Sequence, residues 1–330
     1  MVRTEQSESS MTAPEDLQRA IVGAVPELTG EQVADSAGLT VDEARRLWRA
    51  LGFAEVGEAA AFTTVDAEAL VKVADIVNMA DLDFDTIVRM TRAVGQTMDR
   101  LAEWEVATLA ALLDRSGTGA PARTEALRLV KGIGSNFEAL LIYAWRRHLL
   151  AAVTRVESLE NAQAEEVAQA TVGFADLVSF SALTNRLDDD GIGDLVEVFE
   201  GRSHDVVARR GGRVVKTLGD SVLYLATTPP EGVEIAWDIV NIIGGDARLP
   251  DVRVGLVTGP VVLRMGDVYG PAVNLAARLV GVARRNRVIT DLHTAELLPR
   301  DRYDTRALPA RPVRGFGDLE PVAVRRTHDR

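Results

Sequence analysis

Val214-Val215-Lys216-Thr217-Leu218-Gly219-Asp220-Ser221-Val222-Leu223-Tyr224-Leu225 sets a Lys, a Gly and an Asp between two apolar runs. β-branched and aromatic residues on either side of a Gly-Asp pair specify a β-hairpin, with the polar residues lifted onto its tip. Any strand end tolerates a Lys or an Asp. What this hairpin does therefore depends on the segments around it.

Upstream, Phe174-Ala175-Asp176-Leu177-Val178-Ser179-Phe180 puts a second Asp at the end of another apolar run, followed by small residues that let the backbone approach a ligand. Two acidic tips at strand ends suit a pair of hard cations, and Mg²⁺ prefers one or two carboxylates plus substrate phosphate oxygens to an all-protein cage. Downstream, Gly266-Asp267-Val268-Tyr269-Gly270-Pro271 starts with a turn and leads into a helix, where Asn274 and Arg278 stand four apart on one face. An amide and a guanidinium so placed can orient a sugar and neutralise a phosphate.

These residues resemble the catalytic domain of class III nucleotide cyclases, specifically the adenylyl cyclases, over about Ala170 to Val324. Singly, Asp220 and Asp267 read as turn residues, Asn274 and Arg278 as surface helix positions and Lys216 as a solvated strand end. Jointly, they match the family in type, order and spacing. The resemblance implies that Asp176, Asp220 and the main-chain carbonyl of Leu177 bind two Mg²⁺ (or Mn²⁺) ions. It implies further that Lys216 and Asp267 read the adenine edge, Asn274 orients the ribose and Arg278 stabilises the transition state. In guanylyl cyclases the positions of Lys216 and Asp267 are typically Glu and Cys, so the expected substrate is ATP. Arg314 is a candidate for the terminal phosphates, since relatives often place a Lys nearby.

The family builds its site across a dimer interface, Asp176 and Asp220 coming from one protomer and Lys216, Asp267, Asn274 and Arg278 from the other. One chain carries them all, which implies a homodimer with two composite sites. There is one departure. Relatives often carry a Gly-Phe-Thr run where this chain has Ser179-Phe180-Ser181, and Ser constrains the backbone more than Gly does.

The chain has 330 residues, enough for two domains with cores of their own, and its 47% hydrophobic and 26% charged residues are ordinary for a globular protein. With no cysteine, disulfides and thiolate chemistry are excluded, which agrees with a cytoplasmic location. A net charge of −12 argues against broad nucleic-acid binding. The most apolar stretch, 137–153, is interrupted by Arg146-Arg147-His148, so no membrane span is expected.

The expected order is a polar, disordered 1–12, an all-helical regulatory domain over 13–156, a helical linker over 157–170 and an α+β, ferredoxin-like catalytic domain over 171–330. Thr29 with Gln32 and Thr40 with Glu43 have capping-box spacing, and Glu31 to Phe53 reads as a helix-turn-helix. Arg45, Arg46 and Arg49 on its second helix raise DNA binding as a rival function, against plain packing of Ala44, Leu47, Trp48 and Leu51. Ile87, Met90, Val94, Met98 and Leu101 form one helical stripe, read first as core, with an oligomer contact or a lipid pocket as alternatives.

In the catalytic half, helices covering one face of the sheet are expected, and Gly259-Pro260 is expected to turn the chain between two strands. The whole arrangement resembles soluble actinobacterial cyclases in which a helical N-terminal domain holds the catalytic domain inactive. That implies control by a proton or a lipid. Of the four histidines, His148 stands next to Arg146 and Arg147 near the linker, where a charge change would bias a domain arrangement. The competing class is a catalytically weak nucleotide-sensing module, with or without DNA binding.

Overall fold

The structure is a computed structural model that describes residues 14–57, 59–80, 82–116, 122–160, 168–185, 187, 189–264 and 266–327. The expectations for 1–12 and for the middle of the linker, 161–167, lie outside these residues. The chain divides into two compact units, Met1–Thr154 and Arg155–Arg330.

The first unit is helical: α1 (Pro14–Ile21), α2 (Gly30–Ser36), α3 (Val41–Ala50), α4 (Thr64–Ala80), α5 (Phe84–Ser116) and α6 (Ala122–Glu160), the last running past the unit's end. Both capping boxes form. The Gln32 N–H donates to Thr29 Oγ1 at 3.3 Å while the Thr29 N–H donates to Gln32 Oε1 at 2.9 Å, and Thr40 and Glu43 repeat the exchange at 3.2 and 2.9 Å. Each cap satisfies two otherwise orphaned backbone or side-chain groups at a helix start. The α2–α3 pair closes on Val33, Ala34, Leu47 and Ala50, with Phe62, Leu70, Ile87 and Val88 from the following segments. The α5 stripe departs from the core reading. Ile87 is buried, but Met90, Val94 and Met98 are 53%, 54% and 44% exposed. Helical periodicity marks an apolar face without saying what covers it.

The second unit is built on β1 (Ala168–Leu177), so the last residues assigned to the linker already belong to a strand. After it come α7 (Phe180–Thr184), α8 (Asp189–Arg209), β2 (Arg213–Leu218), β3 (Ser221–Ala226), α9 (Pro229–Gly244) and β4 (Val252–Arg264). The rest is β5 (Asp267–Tyr269), α10 (Pro271–Val282), β6 (Val288–Thr290), α11 (Leu292–Glu296), β7 (Tyr303–Ala307), β8 (Arg311–Val313), β9 (Gly317–Leu319) and β10 (Val322–Arg326).

The main sheet has the order β2-β3-β1-β4-β6-β10-β7, with β5 alongside β4; only β4 and β6 run parallel. Its first four strands, with α8 and α9 as crossovers, make the split βαβ, ferredoxin-like arrangement. The α+β class is as expected, but helices cover both faces. Along β1 the apolar residues alternate: Ala175 and Leu177 meet α8 and α9, while Val172 and Phe174 meet α10. Both faces of β1 therefore need a cover. At Gly255 a Cβ would lie 2.4 Å from the Val280 backbone nitrogen, so only glycine lets α10 close on β4.

Gly259-Pro260 does not turn the chain, because β4 continues through it and pairs with β1 at Ala170 and Gln169. Pro260 falls between Leu256, where pairing to β6 ends, and Val262, where pairing to β5 begins. On that open side a proline costs no ladder hydrogen bond.

A charged group fastens the last strand to the helices. Glu234 of α9 accepts from Tyr303 Oη at 2.8 Å and Arg326 Nη2 at 2.7 Å, and Asp238 accepts from Arg210 Nε at 2.7 Å and Arg326 Nη2 at 3.2 Å. Burial, then the Glu234 hydrogen bond, pushes the Tyr303 hydroxyl up to about 12.

Candidate active site

The hairpin forms as its sequence requires. Leu218 pairs with Ser221, Gly219 takes the turn's left-handed position at a φ of 65°, and Asp220 stands at the tip. On the neighbouring strand Asp176 is opposite Ser221, and the Leu177 N–H donates to the Asp220 carbonyl at 3.0 Å. Two strand ends are thus tied together by the backbone, with both acids at the joint. Burial, and then the negative charge of Asp176, push the Asp220 carboxyl above its ordinary range. A carboxylate whose ionised form is disfavoured by a neighbouring negative charge is relieved by a cation.

Asp176 is buried and both its oxygens are engaged. Ser221 Oγ donates to Oδ1 at 2.6 Å, and Arg253 Nε and Nη2 donate to Oδ2 at 2.7 and 2.5 Å. Ser221, Asp176 and Arg253 form one row across β3, β1 and β4, on the face that α10 covers. Arg253 also donates from Nη1 to the Gly281 carbonyl of α10, at 3.3 Å. Sequence reasoning missed both partners. The signal for Arg253 was an arginine alternating with buried apolar residues in Val252–Leu256, where only a paired charge is tolerated.

A second cluster lies on the same face. Val215 is an extra residue between the pairs Val214–Tyr224 and Lys216–Leu223, and this bulge sets Lys216 opposite Leu223. Lys216 Nζ then meets Asp267 Oδ2 at 2.5 Å. Burial pushes Asp267 up, but the Lys216 hydrogen bond, the Val268 N–H and the lysine's charge together hold it below the usual carboxylate range. The structure so joins two residues 51 positions apart that were assigned to one task.

Asn274 and Arg278 are exposed on α10, one turn apart, while Ala276 and Leu279 face the sheet. Ser179 caps α7 in the left-handed region, at φ 61° and ψ 28°, and Ser181 is exposed in that helix. Arg314 is exposed in the turn between β8 and β9. His148 is exposed on α6. In the helix-turn-helix, Arg45 pairs with Asp42, Arg46 with Asp85 and the Phe84 ring, and Arg49 with Glu55, so each of the three arginines has an acidic partner in its own unit.

Two carboxylates and a neighbouring main-chain carbonyl make a hard oxygen donor set. Among the described residues no group of three or more His, Cys, Asp or Glu side chains converges on one point. A cation held by Asp176 and Asp220 would thus complete its shell with water or substrate oxygens, which is how Mg²⁺ is commonly held. The residues fit that ion. No helix among the described residues is long and apolar enough to cross a membrane.

Residues 162–325 match the adenylate and guanylate cyclase catalytic domain. An adenylate cyclase of Streptomyces coelicolor is 38% identical, the alignment covering 94% of this chain and 89% of that protein. An adenylate cyclase of Glutamicibacter nicotianae is 36% identical over 93% of this chain and 81% of its own. A pH-sensitive adenylate cyclase of Mycobacterium tuberculosis is 26% identical over 91% of this chain and 78% of its own. The chain belongs to the adenylate and guanylate cyclase family.

Proposed function

We propose that the protein is an adenylyl cyclase that converts ATP to 3′,5′-cyclic AMP and pyrophosphate in a homodimer with two composite sites, under control of its helical N-terminal unit. The observation that carries this reading is the backbone-tied joint of Asp176 and Asp220. Two relatives aligned over most of their length with this chain are adenylate cyclases, which supports ATP as the substrate.

The chemistry is displacement at the α-phosphorus by the ribose 3′ oxygen. Two Mg²⁺ or Mn²⁺ ions, bound by Asp176, Asp220 and the Leu177 carbonyl, would supply a lowered 3′-hydroxyl pKa and charge neutralisation along the triphosphate. The rest falls to the chain's own groups. Lys216 donates to N1 of adenine and Asp267 accepts from the 6-amino group; guanine inverts that pattern. Their mutual ion pair holds both in place before substrate arrives. Asn274 fixes the ribose, and Arg278 meets charge developing on the α-phosphoryl oxygens. Leu218, Val262, Leu263 and Tyr269, exposed around the Lys216–Asp267 pair, are apolar surface suited to a second protomer. A proton or lipid effector acting through the N-terminal unit, and a cytoplasmic location, complete the reading; the pH-sensitive relative supports the proton.

The test is cyclic AMP formation from ATP and Mg²⁺ by mixed protomers. Asp176→Ala and Arg278→Ala should each be nearly inactive. Mixed, they should regain about a quarter of the wild-type rate per chain, because half the dimers are mixed and each of those has one complete site. A mixture as inactive as its components would refute composite sites.

A further inference from the structure

We infer that Asn286 is a positioning residue of the metal site, fixing the direction of the Leu177 carbonyl by way of Asp251. The inference rests on the reading above, in which that carbonyl is a metal ligand. Leu177 ends β1 with its backbone held from both sides: its own N–H donates to the Asp220 carbonyl at 3.0 Å, and the Val178 N–H donates to the Asp251 carbonyl at 2.7 Å. The Val178 N–H and the Leu177 C=O belong to one trans peptide unit. In a planar trans peptide the two point opposite ways, so the bond to Asp251 turns the carbonyl away from β4 and toward the side of Asp220. A peptide whose N–H is engaged also carries the better acceptor oxygen.

Asn286 is what keeps Asp251 in place. It turns the chain from α10 into β6 at a φ of 54°, a left-handed position that Asn tolerates better than most residues. From there its side chain grips the start of β4 twice. Nδ2 donates to Asp251 Oδ1 at 2.6 Å, and Oδ1 accepts from the Val252 N–H at 3.2 Å. The Asn286 N–H adds a third bond, to the Val252 carbonyl at 2.6 Å. Arg285 Nη1 also reaches Asp251, at 3.5 Å from Oδ2, but its side chain is 74% exposed, where an ion pair contributes little. Groups that orient a metal ligand from outside the coordination shell are commonly worth about 10–100-fold in metal affinity.

A main-chain carbonyl cannot be substituted, but Asn286 can. Glycine accepts a positive φ at no steric cost, so Asn286→Gly keeps the turn and removes only the amide. The test titrates Mn²⁺ into the full chain with 3′-deoxy-ATP, which lacks the attacking hydroxyl, and reads the bound ion by EPR against a nucleotide blank. Asn286→Gly should weaken Mn²⁺ binding about tenfold, and the metal concentration giving half the maximal cyclase rate should rise by the same factor, with kcat at saturating metal little changed. Asn286→Asp sets a carboxylate against that of Asp251 and should weaken binding at least as much. Adding Asp251→Asn to it exchanges donor for acceptor and should restore the affinity. Wild-type affinity in Asn286→Gly, even with a lowered melting temperature, overturns the role, as does a double variant as weak as Asn286→Asp alone. Asp220→Ala separates the two readings. If it abolishes Mn²⁺ binding while Asn286→Gly binds normally, only the role of Asn286 falls; if it binds Mn²⁺ as the wild type does, the metal reading falls and takes that role with it.

Discussion

Arg253 and Asp176 face one another across β4 and β1, and two guanidinium nitrogens converge on one carboxylate oxygen at 2.7 and 2.5 Å. The arginine holds the place a cation would take at that oxygen. Arg253→Ala should leave a buried carboxylate with Ser221 alone and cost about 2 kcal/mol in urea unfolding with chelator present. Mg²⁺ should restore part of that loss in the variant and less in the wild type. Equal stabilisation of both by Mg²⁺ would show that guanidinium and cation do not compete.

Asp267 is expected to govern the choice of purine. Asp267→Ala removes a charged acceptor and leaves Lys216 unpaired, so kcat/KM for ATP should fall about 100-fold, while the much lower value for GTP should change little. Initial rates on the two nucleotides measure this. A parallel fall for both would assign the pair to structure instead of recognition.

Ser179 occupies a left-handed backbone position that costs a non-glycine residue about 1–2 kcal/mol. Glycine there loses about 0.4–1 kcal/mol more chain entropy on folding, so Ser179→Gly should stabilise the protein by about 0.5 kcal/mol net. Ser179→Val should destabilise it. Thermal melts of the three proteins would expose an error in either sign.

Burial pushes Asp238 up, but Arg210, and after it Arg326, outweigh burial and hold it below the usual carboxylate range. A carboxylate with a depressed folded-state pKa contributes stability above its unfolded value, near pH 4, and loses it as pH falls through the lower folded one. Asp238→Asn should therefore cost about 1 kcal/mol at neutral pH and make the acid limb of the stability curve shallower. An acid limb as steep as that of the wild type would mean that other carboxylates set it.

How far the sequence could be read depended on how local each cause is. The hairpin at Lys216 to Asp220 was legible because alternation and a Gly-Asp tip act within a dozen residues. So were the caps at Thr29 and Thr40. Gly259-Pro260 was misread because a dipeptide that usually turns a chain was carried straight on by its pairing with β1. Arg253 was overlooked because its partner lies 77 positions away, and only the register of β1 on β4 shows that the two share a row. The Met90, Val94 and Met98 stripe was legible as a face, but periodicity does not reveal its occupant.

Arg253 touches two elements at once, Asp176 on β1 and the Gly281 carbonyl on α10. In a homodimer of the proposed kind, the Asp176 of a protomer serves one reaction centre while the Asn274 and Arg278 of its α10 serve the other. One guanidinium then spans half of each. Loading the first centre with metal would pull on the helix that completes the second, and the two would fill at unequal affinity: a Mg²⁺ titration with a Hill coefficient different from one, returning to one when Arg253 is removed.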